Sequence, residues 1–108
     1  MQVIRWQEQQ QPLEQGLRQQ MREQGLSPYT WSNGPGERYS VHSHSYTKVL
    51  YCVSGSIRFV LPDRLDEKGE ASAIDLGPGD CMVLPAGVRH SALVGRQGVT
   101  CLEAARQE

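Results

Sequence analysis

Residues 36–55, Gly-Glu-Arg-Tyr-Ser-Val-His-Ser-His-Ser-Tyr-Thr-Lys-Val-Leu-Tyr-Cys-Val-Ser-Gly, decide the reading of this chain. The stretch is rich in Val, Tyr, Thr and Leu and ends on glycine at both sides, which is the composition of extended strands between turns. If residues 37–53 are extended, alternate side chains share a face. His42, His44, Tyr46, Lys48, Leu50 and Cys52 then lie together. Two imidazoles on one face of a strand can bind one metal ion, and the third histidine of the chain, His90, is the remaining imidazole ligand.

Working outward, the same strand-and-turn grammar runs from residue 28 to the end. Ser32-Asn33-Gly34-Pro35-Gly36 and Leu76-Gly77-Pro78-Gly79-Asp80 are turn signals. Strands are expected near 28–31, 37–43, 46–53, 56–61, 71–75, 80–84, 88–94 and 98–104. Ser54-Gly55 is expected to be a tight hairpin turn between two of them, and 62–70 an exposed polar loop. On the N-terminal side, Pro12 suits a first helical position and Gly25 a position just past a helix end. Leu13, Leu17 and Met21 recur every fourth residue, so a helix over about 12–24 should lay one apolar stripe on the outside of something larger. The expected organisation is an N-terminal strand and helix, 1–27, packed on a barrel domain, 28–108. The fold class is all-β with one short N-terminal α-helix.

A second stretch strengthens the histidine reading. Gly79 is followed by five residues, then Pro85, Ala86, Gly87, two residues and His90. Together with Gly36, His42, His44, Lys48 and Gly55, this order resembles the two motifs of the cupin superfamily, G-(x)5-H-x-H-(x)3-E-(x)6-G and G-(x)5-P-x-G-(x)2-H-(x)3-N. Lys48 stands at the glutamate and Val94 at the asparagine. The resemblance implies a small jelly-roll β-barrel in which His42, His44 and His90 hold one divalent transition metal: Fe, Zn, Mn or Ni. It also allows dioxygenase or isomerase chemistry on a small organic acid or sugar-like molecule, with Lys48 steering a carboxylate; Tyr46, on the histidine face by alternation, is the other candidate substrate contact. The alternative is a non-catalytic barrel that binds a small ligand as a sensor or storage module, with or without metal.

Lys48 is the departure that needs an explanation. An ammonium about 5 Å from a divalent ion would be repelled by roughly 6–7 kcal/mol at an effective dielectric near 20. The side chain can turn outward into water, lose its proton, or pair with an anion, or the site holds no metal. The favoured expectation is a bound metal with Lys48 turned aside or engaging an anion.

Composition narrows the rest. In 108 residues with net charge -1 there is no basic patch to favour nucleic acid and no apolar run long enough for a membrane span. The first residues lack the apolar core of a secretion signal, so a cytoplasmic location is the default expectation. The three cysteines, Cys52, Cys81 and Cys101, are odd in number and widely spaced, and are expected to be reduced and buried in strands. Arg58 and Arg89 should point outward, and Trp6 and Trp31 should serve packing or an interface. The cupin resemblance further implies a small-molecule ligand and a second copy of the chain as partners, with a strand near Val3–Trp6 added to the partner's sheet.

Overall fold

The computed structural model describes residues 1–106; the last two residues of the expected barrel domain lie outside the described residues. Its centre is a pair of long antiparallel strands, β4 (Thr47–Leu65) and β7 (His90–Arg106). They pair from Thr47 opposite Arg106 to Val60 opposite Ser91. Shorter strands complete the sheet: β1 (Gln2–Ile4), β2 (Tyr29–Asn33), β3 (Arg38–His42), β5 (Ala71–Leu76) and β6 (Cys81–Leu84). The main order is β1-β6-β4-β7-β2, with β3 also on β7 and β5 also on β4, all antiparallel. Curling of this sheet gives the small jelly-roll barrel.

Side-chain alternation along β4 and β7 explains why both faces of these strands are buried. Leu50, Cys52, Ile57, Phe59, Val99 and Cys101 join the interior core. Val49, Tyr51, Leu102 and Ala104 face outward, where they are covered by Leu17 and Met21 of helix α1 (Glu14–Glu23). Full burial of a Leu or Met side chain contributes about 1.5–3 kcal/mol, so these two residues are the main apolar contacts that hold the ten-residue helix on the sheet. The helix is shorter than its periodicity suggests. Leu13 is its N-cap and is 77% exposed, so it does not extend the stripe. Gly25 does sit just past the end in the left-handed conformation, φ 82°.

Three sequence expectations require correction. Ser54-Gly55 is not a hairpin turn: the chain runs straight through it, and the expected strands 46–53 and 56–61 are one strand. Gly55 is instead a bulge with φ 76°, where the register with β7 shifts. Strands 88–94 and 98–104 likewise fuse into β7. Polar residues 62–65 continue β4, leaving only 66–70 as the loop to β5. The N-terminal strand pairs with β6 of its own chain, Gln2 opposite Val83, and stands at one end of the strand order.

The bulge has no room for a side chain. A Cβ on Gly55 would lie 2.0 Å from the carbonyl oxygen of Gly98. Gly55→Ala combines this clash with the cost of a left-handed non-glycine residue, about 1–2 kcal/mol by itself. The variant should lose at least about 2 kcal/mol of stability in urea denaturation; a loss under about 0.5 kcal/mol would contradict the bulge geometry.

Candidate metal centre

The chain reaches the site from three directions. β3 ends on His42, which pairs directly with His90 at the start of β7. His44 follows in the short link before β4. That link is held by the backbone N–H of Gly87, which donates to the His44 carbonyl at 2.8 Å. Gly87 has φ 81°, so the turn after Pro85 needs glycine to make this bond. Residues 37–53 are therefore not one strand, yet His42 and His44 still meet.

The three rings form one cluster. Centroids are 5.0 Å apart for His42 and His44, 4.4 Å for His42 and His90, and 5.3 Å for His44 and His90. One nitrogen from each lies within 4.8 Å of the others. Two backbone carbonyls orient the rings: Nδ1–H of His42 donates to Ser40 O at 2.7 Å and that of His90 to Val88 O at 3.0 Å. A proton held on Nδ1 leaves the Nε2 lone pair free, which is the usual support for a ligating imidazole. The Nε2 atoms of His44 and His90 are buried and have no hydrogen-bond partner among the described residues. Two buried, unpaired acceptors cost stability unless something occupies them. The donor set and its orphaned nitrogens fit a transition metal.

Burial, followed by the nearby Lys48 and His42 and opposed by Glu103, pushes the His44 pKa below its ordinary value. Burial also dominates the lowering at His90, assisted by Lys48 and opposed by the bond to Val88. Both rings are thus neutral near pH 7, as metal ligation requires.

The main surprise is beside them. Lys48 neither turns outward nor stands alone. Its side chain is 8% exposed, and its Nζ lies 3.3 Å from Oε1 of Glu103, itself 5% exposed. Trp31 Nε1 donates to the same oxygen at 3.1 Å, and the Tyr29 hydroxyl donates to Oε2 at 2.7 Å. Glu103 raises the Tyr29 pKa, adding to the effect of burial. A carboxylate with three donors is well compensated for leaving water. The repulsion expected between Lys48 and a divalent ion is offset by a protein anion from β7 rather than by solvent.

Glu103 and Trp31 are the site residues that the sequence reading missed. The signal was present: in Val99-Thr100-Cys101-Leu102-Glu103, alternation puts Glu103 on the phase of Val99 and Cys101, inside the barrel. An interior carboxylate demands a partner. Trp31, expected to serve packing, lines the cavity as well as bonding Glu103.

The histidines and the ion pair share one cavity of about 420 Å³, whose apolar wall includes Ile57, Phe59 and Ala92. Tyr46 does not line it; its ring packs against His44, centroids 5.0 Å apart. Cys52 is sealed in the core, with its thiol directed at the Ser54 and Gly55 carbonyls. Burial pushes the Cys81 thiol up to about 11, so it is inert at neutral pH. Arg58 and Arg89 point outward to Asp75 and Asp63. No helix among the described residues is long and apolar enough to cross a membrane.

Comparison with known proteins agrees with this geometry. The family model described as "Cupin domain" matches residues 30–97, and the chain belongs to the cupin family. No protein of curated function matches it. Among solved structures, Bacillus subtilis oxalate decarboxylase aligns with TM-score 0.63 and 27% identity over 81% of this chain. This chain spans only 23% of that enzyme's length. The same oxalate decarboxylase carries Mn(II) centres. The DMSP lyase DddQ from Ruegeria pomeroyi aligns with TM-score 0.63 and 22% identity, covering 77% of this chain and 39% of that one. A cupin-2 domain protein from Shewanella frigidimarina aligns with TM-score 0.58 and 16% identity, covering 76% and 71%. The last two likenesses concern the fold alone.

The lowered histidine pKa values set a stability test. Unfolded histidines bind protons below about pH 6.5, whereas His44 and His90 in the folded metal-free protein resist them. Stability should therefore be level above pH 7 and fall as pH drops from about 6.5 toward 5. His90→Asn should flatten the fall. A wild-type Tm that does not change between pH 8 and 5 would contradict the buried neutral rings.

Proposed function

We propose that this cupin binds one divalent transition metal through His42, His44 and His90, and that the loaded site acts on a small organic molecule held in the adjoining cavity. The observation that carries this reading is the pair of buried Nε2 atoms, on His44 and His90, that no protein donor satisfies. Imidazoles suit Fe, Zn or Ni, and the Mn(II) centres of the similar oxalate decarboxylase add Mn to that set. Three protein ligands leave coordination positions open, so the metal would supply Lewis-acid or redox chemistry of the dioxygenase or isomerase kind.

The chain's own groups have distinct tasks in this reading. The Ser40 and Val88 carbonyls keep the His42 and His90 rings in the ligating tautomer. Tyr46 braces His44. Ile57, Phe59 and Ala92 exclude water from one wall. Lys48 contacts the substrate. The three free, buried cysteines support a reducing, cytoplasmic location.

One feature favours a second reading. The family's glutamate is replaced by Lys48, and the nearby carboxylate, Glu103, is already engaged by three donors. A site without a carboxylate ligand is also suited to a non-catalytic binding module.

Metal binding is tested by thermal melting of chelator-treated protein with added Mn(II), Zn(II), Ni(II) or Fe(II). At a hundred times its dissociation constant, the ion that fits should stabilise the fold by about 2.7 kcal/mol. His90→Ala should abolish that shift. Equal shifts in wild type and variant, or no shift with any ion, would overturn the reading.

A further inference from the structure

We infer that the cavity selects a small carboxylate with a hydrophobic body, and that Lys48 is the residue which recognises it. The inference rests on the histidine-lined cavity being the functional site, and it decides between the organic-acid and sugar-like substrates that the family resemblance leaves open.

The argument is an account of hydrogen-bond donors. A lysine ammonium has three N–H groups. Lys48 is buried, and Glu103 is its one charged partner among the described residues. No other hydrogen bond to Nζ is present among them, although Nζ does lie 5.8 Å from the centre of the Phe59 ring. Donors that are buried and unmet cost free energy, more so on a charged group. A single contact to Glu103, 3.3 Å to Oε1, does not satisfy three N–H groups.

Apart from the three histidine rings, the other polar side chains of the wall already have partners. Tyr29 and Trp31 serve Glu103, Tyr39 donates to Asn33, and Ser32 is paired with Thr100 at 2.8 Å. A polyhydroxylated ligand needs many partners that can be exchanged, and this wall offers few. The remaining surface is apolar or aromatic: Ile57, Phe59, Ala92, and the rings of Trp31 and Tyr39. Such a wall suits a hydrophobic body of modest size, and the cavity of about 420 Å³ lies in the range of small-molecule sites. Lys48 and Glu103 are the one lysine and the one carboxylate of the lining and their charges cancel. Any bound divalent ion would add positive charge and favour an anion further.

Benzoate and its uncharged counterpart benzamide are suitable probes, measured by calorimetry on chelator-treated protein. Wild type should bind benzoate at least about tenfold more tightly than benzamide, because a charge-assisted bond to Lys48 is available only to the carboxylate. Lys48→Met alone strands Glu103 and can fail to fold. The double variant K48M/E103Q removes both charges while keeping side chains of similar size. It also deletes a nearby negative charge, so a lost preference cannot come from added repulsion. The inference requires that the preference for benzoate disappear in the double variant. It is overturned if wild type prefers neither probe or binds neither, or if the double variant keeps the preference. Mn(II) binding to the same chelator-treated samples reports on the metal reading separately, so either idea can fail without the other.

Discussion

The ladder between β4 and β7 is the constraint on which everything else depends. It brings Lys48 and Glu103, far apart in the chain, onto neighbouring strands with their side chains inside the barrel. Its far end carries His90, whose pairing with His42 anchors β3. The pairing continues past a bulge at Gly55, where the register shifts and the backbone lies so close to Gly98 that no side chain fits. A local choice of glycine thus governs where distant imidazoles and charges meet.

Within that frame, the site balances its charge in an unusual way. The position where the family motif has a carboxylate holds an ammonium, and a carboxylate from β7 stands next to it. Burying one of these groups alone would be strongly unfavourable, while burying them together is tolerable when hydrogen bonds complete the pair. Trp31 and Tyr29 on β2 complete it from the carboxylate side. Among the described residues, the Lys48 side has only its contact to Glu103.

Much of this was legible in the sequence where residue type and spacing coincide. His42, His44 and His90 could be brought together on paper because alternation and the glycine-proline framework around them are both local signals. The helix was legible from Leu17 and Met21, although Leu13 matched the same period and lies in solvent. Less was legible where a residue permits two structures. Ser54-Gly55 reads as a turn because left-handed glycine is common in hairpins, but a bulge uses the same φ. Only the long-range pairing with β7 distinguishes them. Lys48 was only partly legible: turning aside and engaging an anion were both open, and the protein anion it meets is 55 residues away, on a strand where only the phase of Glu103 points to it.

The claim at the centre of this account is that three imidazoles with free lone pairs gather to hold a metal. Elemental analysis of protein purified without a metal-affinity tag and without added metal tests it most directly. The account predicts close to one transition-metal ion per chain in the wild type and almost none in His42→Ala. Wild-type protein that is essentially free of transition metal, and that stays so after growth in metal-supplemented medium, would contradict it.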